Sequence, residues 1–292
     1  MRILITGAEG FVGSRLLPAL AGSGHVAEAA GFDLFDTAAV EARLHAAPWD
    51  CIVHLAAISH VPTCERDQPL AFRANLAGTA QLLEAVRRHS PRAWLVFAST
   101  AQVYAAPGAD EHNVVIDEDR RIEPQSVYAR TKWQAELMIG DAARRDGLRA
   151  TVLRLFNHTH KSQSREFFLP HLYHAIVETP LGAVPVGNLD ISRDFGSIHD
   201  LVAAFAARLA RPAPESIESF NICSGSAKRL ADVAEELVRR LGARVELVTD
   251  PARVRAGEAR SIAGSHRRFS AATGWEPHCA TAGELVTAFL AD

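Results

Sequence analysis

Short apolar runs rich in β-branched residues alternate, along the first half of the chain, with longer segments of helical periodicity. The runs read RILITG, CIVHLAA, AWLVFAS and ATVLRLF, and the helical patterns cover residues 11–21, 69–89 and 127–145. This alternation is typical of parallel strands joined by crossover helices, and nearly continuous apolar runs are typical of strands buried on both faces. The sequence therefore predicts an α/β fold with a doubly wound, Rossmann-type parallel sheet.

A glycine-rich stretch, TGAEGFVG at residues 6–13, follows the first apolar run directly and opens the first helical pattern. Glycines at Gly7, Gly10 and Gly13 permit a tight turn, let backbone amides approach a diphosphate and allow close packing of helix on strand. The N-terminus of the following helix favours the anion. The combination predicts a dinucleotide site at the N-terminal end of the chain.

The sequence does not decide which dinucleotide binds. An acid about 20 residues beyond the glycines would bind a ribose 2′-hydroxyl, whereas a nearby arginine would suit a 2′-phosphate. Glu28 lies in a poorly defined second strand, and Arg15 lies in the first helical segment. We therefore expect NADP or NAD as the cofactor.

The second half of the chain has a different texture. Residues 157–168 are polar and irregular, residues 179–195 are rich in Pro, Gly and Asp, and strands and helices beyond them no longer alternate regularly. We therefore expect residues 1–156 to form a dinucleotide-binding domain, with a returning segment near 190–210. Residues 157–292 are predicted to form mainly a smaller α+β lobe that binds substrate.

The composition excludes several classes of function. Thirty-one Lys and Arg against 34 Asp and Glu give a formal net charge of -3, so no global field favours nucleic acid or a membrane surface. No apolar stretch reaches the ~18 residues of a membrane span. The four cysteines form no C-x-x-C pair, and the histidine pairs at 158/160 and 171/174 lack a third ligand at a recognisable spacing. We therefore expect no metal site. Because no leader-like segment precedes the first strand, we also expect a cytoplasmic protein.

A phenol and an ammonium, Tyr128 and Lys132, lie four residues apart and so share one face of a helix. This helix follows the strand that Ser99 and Thr100 close at its carboxyl end, where doubly wound sheets bind ligands. A neighbouring ammonium and a nicotinamide cation would both favour the phenolate, lowering the tyrosine pKa from about 10 towards neutrality. We expect Thr100 to hydrogen-bond the reacting carbonyl or alkoxide oxygen.

Six segments in order resemble the extended short-chain dehydrogenase/reductases that act on nucleotide sugars. They are TGAEGFVG, Asp33-Leu34, HLAA at 54–57, NLAGT at 75–79, YARTK at 128–132 and SRDF at 192–195. The resemblance covers almost the whole chain and implies hydride transfer at a sugar carbon. It implies that Tyr128 donates the proton, that Lys132 lowers the pKa of this tyrosine and holds the nicotinamide ribose, and that Thr100 is the hydroxyl partner.

The resemblance also implies two sets of binding residues. The residues expected at the cofactor are Gly7, Gly10, Phe11, Val12, Gly13, Asp33, Leu34, Leu55, Ala56, Ala57, Asn75, Tyr128, Lys132, Phe156 and His158. The residues expected at the substrate are Ser99, Thr100, Asn157, Arg193, Arg255 and Glu258.

The choice among the family's reactions rests on a few positions. Dehydratases of this family normally carry an acid two residues after the hydroxyl partner, where this chain has Gln102. LRLFNHT, VGNLDISRDF, FNICSG and the segments at residues 250–269 and 273–277 resemble the reductases that convert GDP-4-keto-6-deoxy-D-mannose to GDP-D-rhamnose. A GDP-linked sugar is therefore the favoured substrate. The alternatives are a nucleotide-sugar 4-epimerase with tightly bound NAD and a non-catalytic dinucleotide-sensing protein.

Two departures from the family pattern lie near the expected sugar. His160-Lys161-Ser162 stand where the family usually has Gly-Pro-Gly, and Ala105 replaces a glycine. A related 4-keto sugar therefore stays open as the substrate.

The helical segments 69–89 and 127–145 carry more apolar residues than one sheet face requires. These residues are Leu82, Leu83, Val86, Leu137 and Met138. Because the family commonly pairs these helices across a two-fold axis, we expect a homodimer.

Overall fold

The computed structural model describes residues 1–108, 111–254 and 259–291. The chain divides into two compact units. The first comprises Met1–Ala106, Arg120–Leu155 and Ala204–Phe220, and the second comprises Pro107–Asp119, Phe156–Ala203 and Asn221–Asp292. The returning segment of the first unit is thus Ala204–Phe220, whereas the sequence placed it near 190–210. The division of labour between cofactor and substrate remains a prediction.

The strands of the described residues are short and spread along the whole chain. In chain order they are β1 (Arg2–Thr6), β2 (Val26–Ala29), β3 (Cys51–His54), β4 (Trp94–Thr100), β5 (Asn113–Ile116), β6 (Arg149–Leu155), β7 (Asn157–Thr159), β8 (Ala183–Val186), β9 (Ser192–Ser197), β10 (Ile217–Ile222), β11 (Ala227–Arg229), β12 (Glu246–Thr249) and β13 (Ser261–Gly264).

The helices are longest where the sequence shows helical periodicity. They are α1 (Gly13–Gly22), α2 (Thr37–His45), α3 (Val61–Arg66), α4 (Gln68–Phe72), α5 (Gly78–His89), α6 (Val127–Asp146), α7 (Phe168–Glu178), α8 (Ile198–Leu209), α9 (Leu230–Leu241), α10 (Arg267–Thr273) and α11 (Ala282–Leu290). A π-helical turn at Arg73–Ala77 joins α4 to α5.

The first unit is built on a six-stranded sheet with the strand order β10-β6-β4-β3-β1-β2. β1 pairs in parallel with β2 and β3, and β4 pairs in parallel with β3 and β6. The chain runs outward from β1 in both directions, so the order reverses beside this strand. This is the doubly wound α/β fold that the alternating sequence pattern predicted, and ligands bind such sheets at the carboxyl ends of the strands near the reversal.

Apolar side chains from the central strands and the flanking helices form the core of the first unit. Leu4, Ile52, Leu95, Phe97 and Val152 lie in one buried cluster together with residues of α2, α5 and α6. Because these strands are covered on both faces, they have no polar alternation, as their sequences indicate. The rigid sheet thereby fixes the positions of the loops at its edge.

The second unit combines a mixed sheet with helices. Its main sheet has the order β11-β9-β13-β5, with β7 paired to β9, and β8 and β12 form a separate two-stranded sheet. β11 runs antiparallel to β9, whereas β13 runs parallel to β5. A second apolar cluster lies among α7, α9 and α11. The predicted α+β character of the C-terminal lobe is therefore confirmed.

Candidate active site

The glycine loop after β1 leaves no room for side chains at two positions. Gly7 has a φ of 69°, and a Cβ atom there would lie 2.7 Å from the backbone nitrogen of Ala56. A Cβ atom on Gly13 would lie 2.3 Å from the carbonyl oxygen of Gly7. The amide of Gly10 donates to that same carbonyl at 3.0 Å. Glycine at these positions therefore keeps the loop flat against β3, with α1 starting behind it.

A cavity of about 500 Å³ opens in front of this loop. Its lining includes six of the residues expected at the cofactor, namely Gly7, Gly10, Asp33, Leu34, Ala56 and Ala57. The walls near the loop are mainly backbone and small side chains, which permits close approach of a diphosphate. The cavity and the closely approachable backbone of its glycine loop fit the adenosine diphosphate half of a dinucleotide.

The remaining residues expected at the cofactor in the first unit lie outside this cavity lining. Phe11, Val12 and Gly13 continue the loop into α1, and Leu55 precedes the lining residues Ala56 and Ala57. Glu28, the alternative acid, forms ion pairs with Arg2 at 2.9 Å and Arg43 at 2.8 Å and does not line the cavity.

A buried hydrogen-bond chain links β1, β3 and α5 behind the glycine loop. Thr79 donates its hydroxyl to the carbonyl of Asn75 at 2.6 Å and so accepts from Nε2 of His54 at 3.0 Å. Nδ1 of His54 then accepts from the hydroxyl of Thr6 at 2.7 Å. Burial lowers the pKa of His54 to about 3, which keeps the ring neutral in this chain. Sequence reasoning missed this role of HLAA and of the threonine before Gly7.

Asn75 lies in the π-helical turn and is almost completely buried. Its amide oxygen accepts from the backbone nitrogen of Ile58 at 2.8 Å, and its amide nitrogen donates to the carbonyl of Ile58 and to the hydroxyl of Thr131, each at 3.0 Å. Asn75 therefore ties a lining residue of the cavity to α6. Single π-helical turns are frequent at functional sites.

Tyr128 lies in the first turn of α6, and Thr100 closes β4. A hydrogen bond joins their hydroxyl groups, and Thr100 also accepts from the backbone nitrogen of Gln102 at 3.2 Å. Burial raises the pKa of Tyr128 to about 12, and the hydrogen bond from Thr100 opposes the rise in part. The phenol is therefore protonated at neutral pH and can donate a proton to an acceptor at the end of β4.

Lys132 lies one turn further along α6 and is only 2% exposed. Its ammonium nitrogen lies 4.0 Å from the centroid of the Phe97 ring on β4. Burial lowers the pKa of Lys132 to about 7, and the carboxylate of Glu136 opposes this effect. The expected lowering of the tyrosine pKa by this lysine remains a prediction for the cofactor-bound state.

The start of α6 is fixed by two side chains. The hydroxyl of Ser126 accepts from the amide of Ala129 at 3.1 Å, and the carboxylate of Glu65 on α3 accepts from the amide of Val127 at 2.8 Å. Both groups satisfy amides of the first helical turn, where a negative charge is favourable. Glu65 thus positions Tyr128, a role that no local sequence signal reveals.

Ser99 has a different surrounding from its neighbour. Its hydroxyl donates to the buried carboxylate of Glu136, so in this structure it is already occupied within the interior of the first unit. The expected contact of Ser99 with a substrate is therefore not supported by the direction of its side chain.

Asn157 and Arg193 line a second cavity, of about 450 Å³, in the second unit. The amide of Asn157 donates to the carbonyl of Asp194 at 3.0 Å, and Nη1 of Arg193 donates to the carbonyls of Ser192 and Ala259 at 2.8 Å. Further cationic and aromatic residues lining it were missed by the sequence interpretation; they are Arg165, Phe168, His171 and Arg253. Such a lining suits a nucleoside diphosphate.

Asp194, next to Arg193, is a buried junction of the second unit. One carboxylate oxygen accepts from the amide of Ser224 at 2.8 Å and from its hydroxyl at 2.7 Å. The other accepts from the amides of Gly225 and Gly264, both at 3.0 Å. Asp194 thus fixes β9, which carries Arg193, to two other segments.

The other expected binding residues of the second unit have fewer links to a cavity. Phe156 packs its ring against Gly264, and the buried ring of His158 lies against Gly196 while its Nδ1 faces the carbonyl of Phe156 at 2.9 Å. Burial lowers the pKa of His158. Their contacts with a cofactor remain predictions. Arg255 and Glu258 lie outside the described residues.

The segment that replaces the usual Gly-Pro-Gly is attached to the end of α11. The ammonium of Lys161 donates to the carbonyl of Leu290 at 3.0 Å, and Nε2 of His160 contacts the carbonyl of Ala291 at 2.9 Å. The segment at residues 160–162, the first of the two departures from the family pattern, is therefore held in place by contacts of its own.

Comparison with known proteins identifies the family of this chain. A family model described as GDP-mannose 4,6 dehydratase matches residues 26–287. The chain belongs to the GDP-mannose 4,6-dehydratase family. It is 30% identical over 300 residues to a GDP-6-deoxy-D-mannose reductase from Pseudomonas aeruginosa, covering 100% of this chain and 96% of that protein.

A second relative and a solved structure are also similar to this chain. A GDP-6-deoxy-D-talose 4-dehydrogenase from Aggregatibacter actinomycetemcomitans is 30% identical over 233 residues, which are 77% of this chain and 75% of that protein. A solved structure described as RMD from Pseudomonas aeruginosa complexed with NADPH superposes with a TM-score of 0.87 at 28% identity, covering 99% of this chain and 98% of that one. The predicted family and fold are confirmed.

Within the described residues of this family member, no helix is long and apolar enough to cross a membrane. No group of three His, Cys, Asp or Glu side chains suited to a metal ion occurs in that same part of the chain.

Proposed function

We propose that this protein reduces the 4-keto group of GDP-4-keto-6-deoxy-D-mannose, with NADH or NADPH as the hydride source, and so forms GDP-D-rhamnose. The observation that carries the proposal is the hydrogen bond between Thr100 and the protonated Tyr128 at the carboxyl end of β4. Lys132 lies one helical turn from that phenol. Support for the substrate comes from the GDP-6-deoxy-D-mannose reductase that matches the whole chain.

The reaction needs a hydride and a proton. A bound reduced nicotinamide supplies the hydride to the sugar C4. Tyr128 donates its hydroxyl proton to the carbonyl oxygen, and Thr100 holds that oxygen by a second hydrogen bond. The phenolate that forms is stabilised by the ammonium of Lys132, and it recovers a proton from solvent. The products are the C4 alcohol and the oxidised cofactor.

Elimination of water, the reaction after which the family is named, is not supported by the residues around Thr100. Gln102 stands in the short turn after β4, where the dehydratases that this chain resembles carry an acid. An amide cannot exchange the proton that this step requires. We therefore propose reduction and not dehydration.

The diphosphate of the substrate is assigned to the second unit. Asn157 and Arg193 line its cavity, and the cationic side chains of Arg165 and Arg253 line the same space. Guanidinium groups bind phosphate oxygens in a bidentate manner. We propose that these residues select nucleotide sugars over free sugars.

A substrate panel tests this proposal. GDP-, UDP- and dTDP-linked 4-keto-6-deoxy sugars are incubated with NADH or NADPH, and cofactor oxidation and product configuration are recorded. We expect oxidation with the GDP sugar and the D-rhamnose configuration at C4. Formation of the C4 epimer, 6-deoxy-D-talose, would correct the stereochemistry, and inactivity across the panel would contradict the proposal.

The same preparation separates the reductase from a 4-epimerase. An epimerase returns the hydride to the sugar and retains NAD through purification, so it needs no added cofactor. We expect the purified protein to need a stoichiometric supply of reduced cofactor. Interconversion of nucleotide sugars without net cofactor oxidation would favour the epimerase.

We also propose that the protein forms a homodimer through α5 and α6. Leu83 and Met138 line a groove on these helices, and the side chain of Leu137 is exposed. Leu82 and Val86, which the sequence also indicated, are buried in the core, and Val86 also lines the groove. Light scattering on a Leu137→Glu variant tests the interface. We expect this variant to be a monomer and the wild type to be a dimer.

A further inference from the structure

A buried ion pair that the proposed reaction does not use lies next to the reaction centre. Nη2 of Arg154 on β6 lies 2.7 Å from one carboxylate oxygen of Glu136 on α6, and Nε of Arg154 lies 3.2 Å from both oxygens. The two side chains are only 8% and 4% exposed. Burial of an ion pair is costly, and an apolar pair of similar size is often as stable. This cost indicates a role beyond packing.

The pair holds the chain on both sides of Thr100. The hydroxyl of Ser99 donates to Glu136. On the other side, Nη1 of Arg154 donates to the hydroxyl of Tyr104 at 3.0 Å, and its guanidinium lies 5.0 Å from the centroid of that ring. Thr100 is therefore fixed between two anchored neighbours in the same chain segment. Such support preorganises a hydrogen-bonding group for catalysis.

Glu136 also faces Lys132, one turn away on α6. The carboxylate favours the charged form of this buried ammonium and opposes its desolvation. The other titratable or charged groups around Lys132 are Tyr128 on the same helix, His54 on β3, Arg154 on β6, and Cys64 and Glu65 on α3 next to Tyr128. His54 is neutral, so it does not compete for the carboxylate.

We infer that Glu136 is a positioning residue for the proposed reduction, with its carboxylate, held by Arg154, keeping Lys132 protonated and Ser99 beside Thr100 in place. The inference rests on the proposed function for the role of Lys132, but the ionisation of this lysine is measurable without any substrate. Glu136 itself contacts neither the substrate nor the cofactor in this account.

The chain has only three lysines, Lys132, Lys161 and Lys228, which makes a direct titration feasible. Protein labelled with ¹³C at the lysine Cε carbons gives three signals, which Lys161→Arg and Lys228→Arg variants assign. In the wild type we expect Lys132 to titrate near pH 7. In Glu136→Gln, the midpoint should fall by about one pH unit, because the opposing charge is lost. Glu136→Asp keeps the charge and should keep the midpoint close to the wild-type value.

Glu218 offers a matched control in the same unit. Its carboxylate accepts from the hydroxyl of Thr151 and pairs with Arg208 at 2.5 Å, as Glu136 does with Ser99 and Arg154. Glu218→Gln should lower the melting temperature without moving the Lys132 titration. If Glu136→Gln does not fold, Glu136→Gln/Arg154→Gln removes both charges together, and its midpoint should fall by less than about one pH unit, because the cation of Arg154, which disfavours the ammonium, is lost as well.

An unchanged Lys132 midpoint in the Glu136 variants would overturn the inference. In the active enzyme, the basic limb of the kcat/KM profile should move to lower pH in Glu136→Gln and stay in place in Glu218→Gln. Equal shifts in both variants would show a merely structural effect and would also overturn it. Failure of the substrate panel would reject the proposed function but leave the titration result intact.

Discussion

The ammonium of Lys132 lies against the face of the Phe97 ring, 4.0 Å from its centroid. This contact brings a charge into the apolar core of the first unit, where Phe97 is fully buried. A cation–π contact recovers only part of the hydration that the ammonium loses. Burial of the Lys132 ammonium therefore lowers the stability of the folded protein, and it places a charge at the proposed reaction centre.

Replacement of Lys132 by Met should stabilise the protein at neutral and acidic pH. The folded-state pKa of Lys132 is about 7, whereas the unfolded-state value is about 10.4. Between these values the unfolded chain binds more protons, so wild-type stability rises with pH. We expect Lys132→Met to gain a few kcal/mol near pH 6, and to lose this advantage as pH approaches 10. Urea unfolding between about pH 6 and about pH 10 measures the free energy of unfolding of both proteins. A difference between them that does not change with pH would contradict the buried charge.

Replacement of Tyr128 by Phe should remove turnover while cofactor binding persists. The phenol donates the proton in the proposed reaction, and loss of a general acid costs about 10²–10⁴ in rate. Steady-state kinetics and cofactor fluorescence measure the two properties separately. Tyr173→Phe, on α7 of the second unit, is a control that should keep full turnover. Equal activity of the two variants would exclude Tyr128 as the acid.

Gly13→Ala should abolish cofactor binding, because the added methyl group would lie 2.3 Å from the carbonyl of Gly7 and the loop must shift. Gly22, at the other end of α1, is the matched control, since nothing lies within 4 Å of a Cβ atom there. Gly22→Ala should be neutral or stabilise by up to about 1 kcal/mol. Calorimetric titration with NADPH and NADH compares both variants. Undiminished affinity in Gly13→Ala would reject the glycine loop as the cofactor-binding site.

Asp194→Asn should destabilise the protein by about 2–4 kcal/mol. In the variant, the side-chain NH2 group of the introduced asparagine replaces one of the two carboxylate oxygens and cannot accept a hydrogen bond. If it replaces the oxygen that faces Gly225 and Gly264, the backbone nitrogens of these two residues lose their acceptor. Asp190→Asn serves as the control, because the side chain of Asp190 is 83% exposed and its pair with Arg229 is a surface contact. Chemical denaturation measures both, and equal midpoints would show that Asp194 is not a junction.

The parts of this molecule that the sequence predicted are those with local signals. The glycine loop and the Tyr128/Lys132 spacing depend on residues a few positions apart, and the alternating pattern predicted the sheet. Helix α6 begins at the expected residue, Val127.

Contacts between distant parts of the chain were not predictable in this way. Glu65 binds an amide 62 positions away, and Arg253 lies 2.8 Å from His171, 82 positions earlier. The direction of the Ser99 hydroxyl likewise depends on α6, because the fold brings Glu136 beneath it. Alternation or spacing carries no information on such pairs, which depend on the tertiary packing of elements.

The most direct test of the central claim is the transfer of deuterium from a reduced cofactor labelled at the nicotinamide C4. The protein is incubated with GDP-4-keto-6-deoxy-D-mannose and NADPH or NADH deuterated on either face, and the sugar is analysed by NMR. The account predicts one deuterium at C4 of the sugar for each cofactor oxidised, delivered from one face only. A product without deuterium at C4 from both labelled forms of the cofactor, or no cofactor oxidation with this substrate, would contradict it.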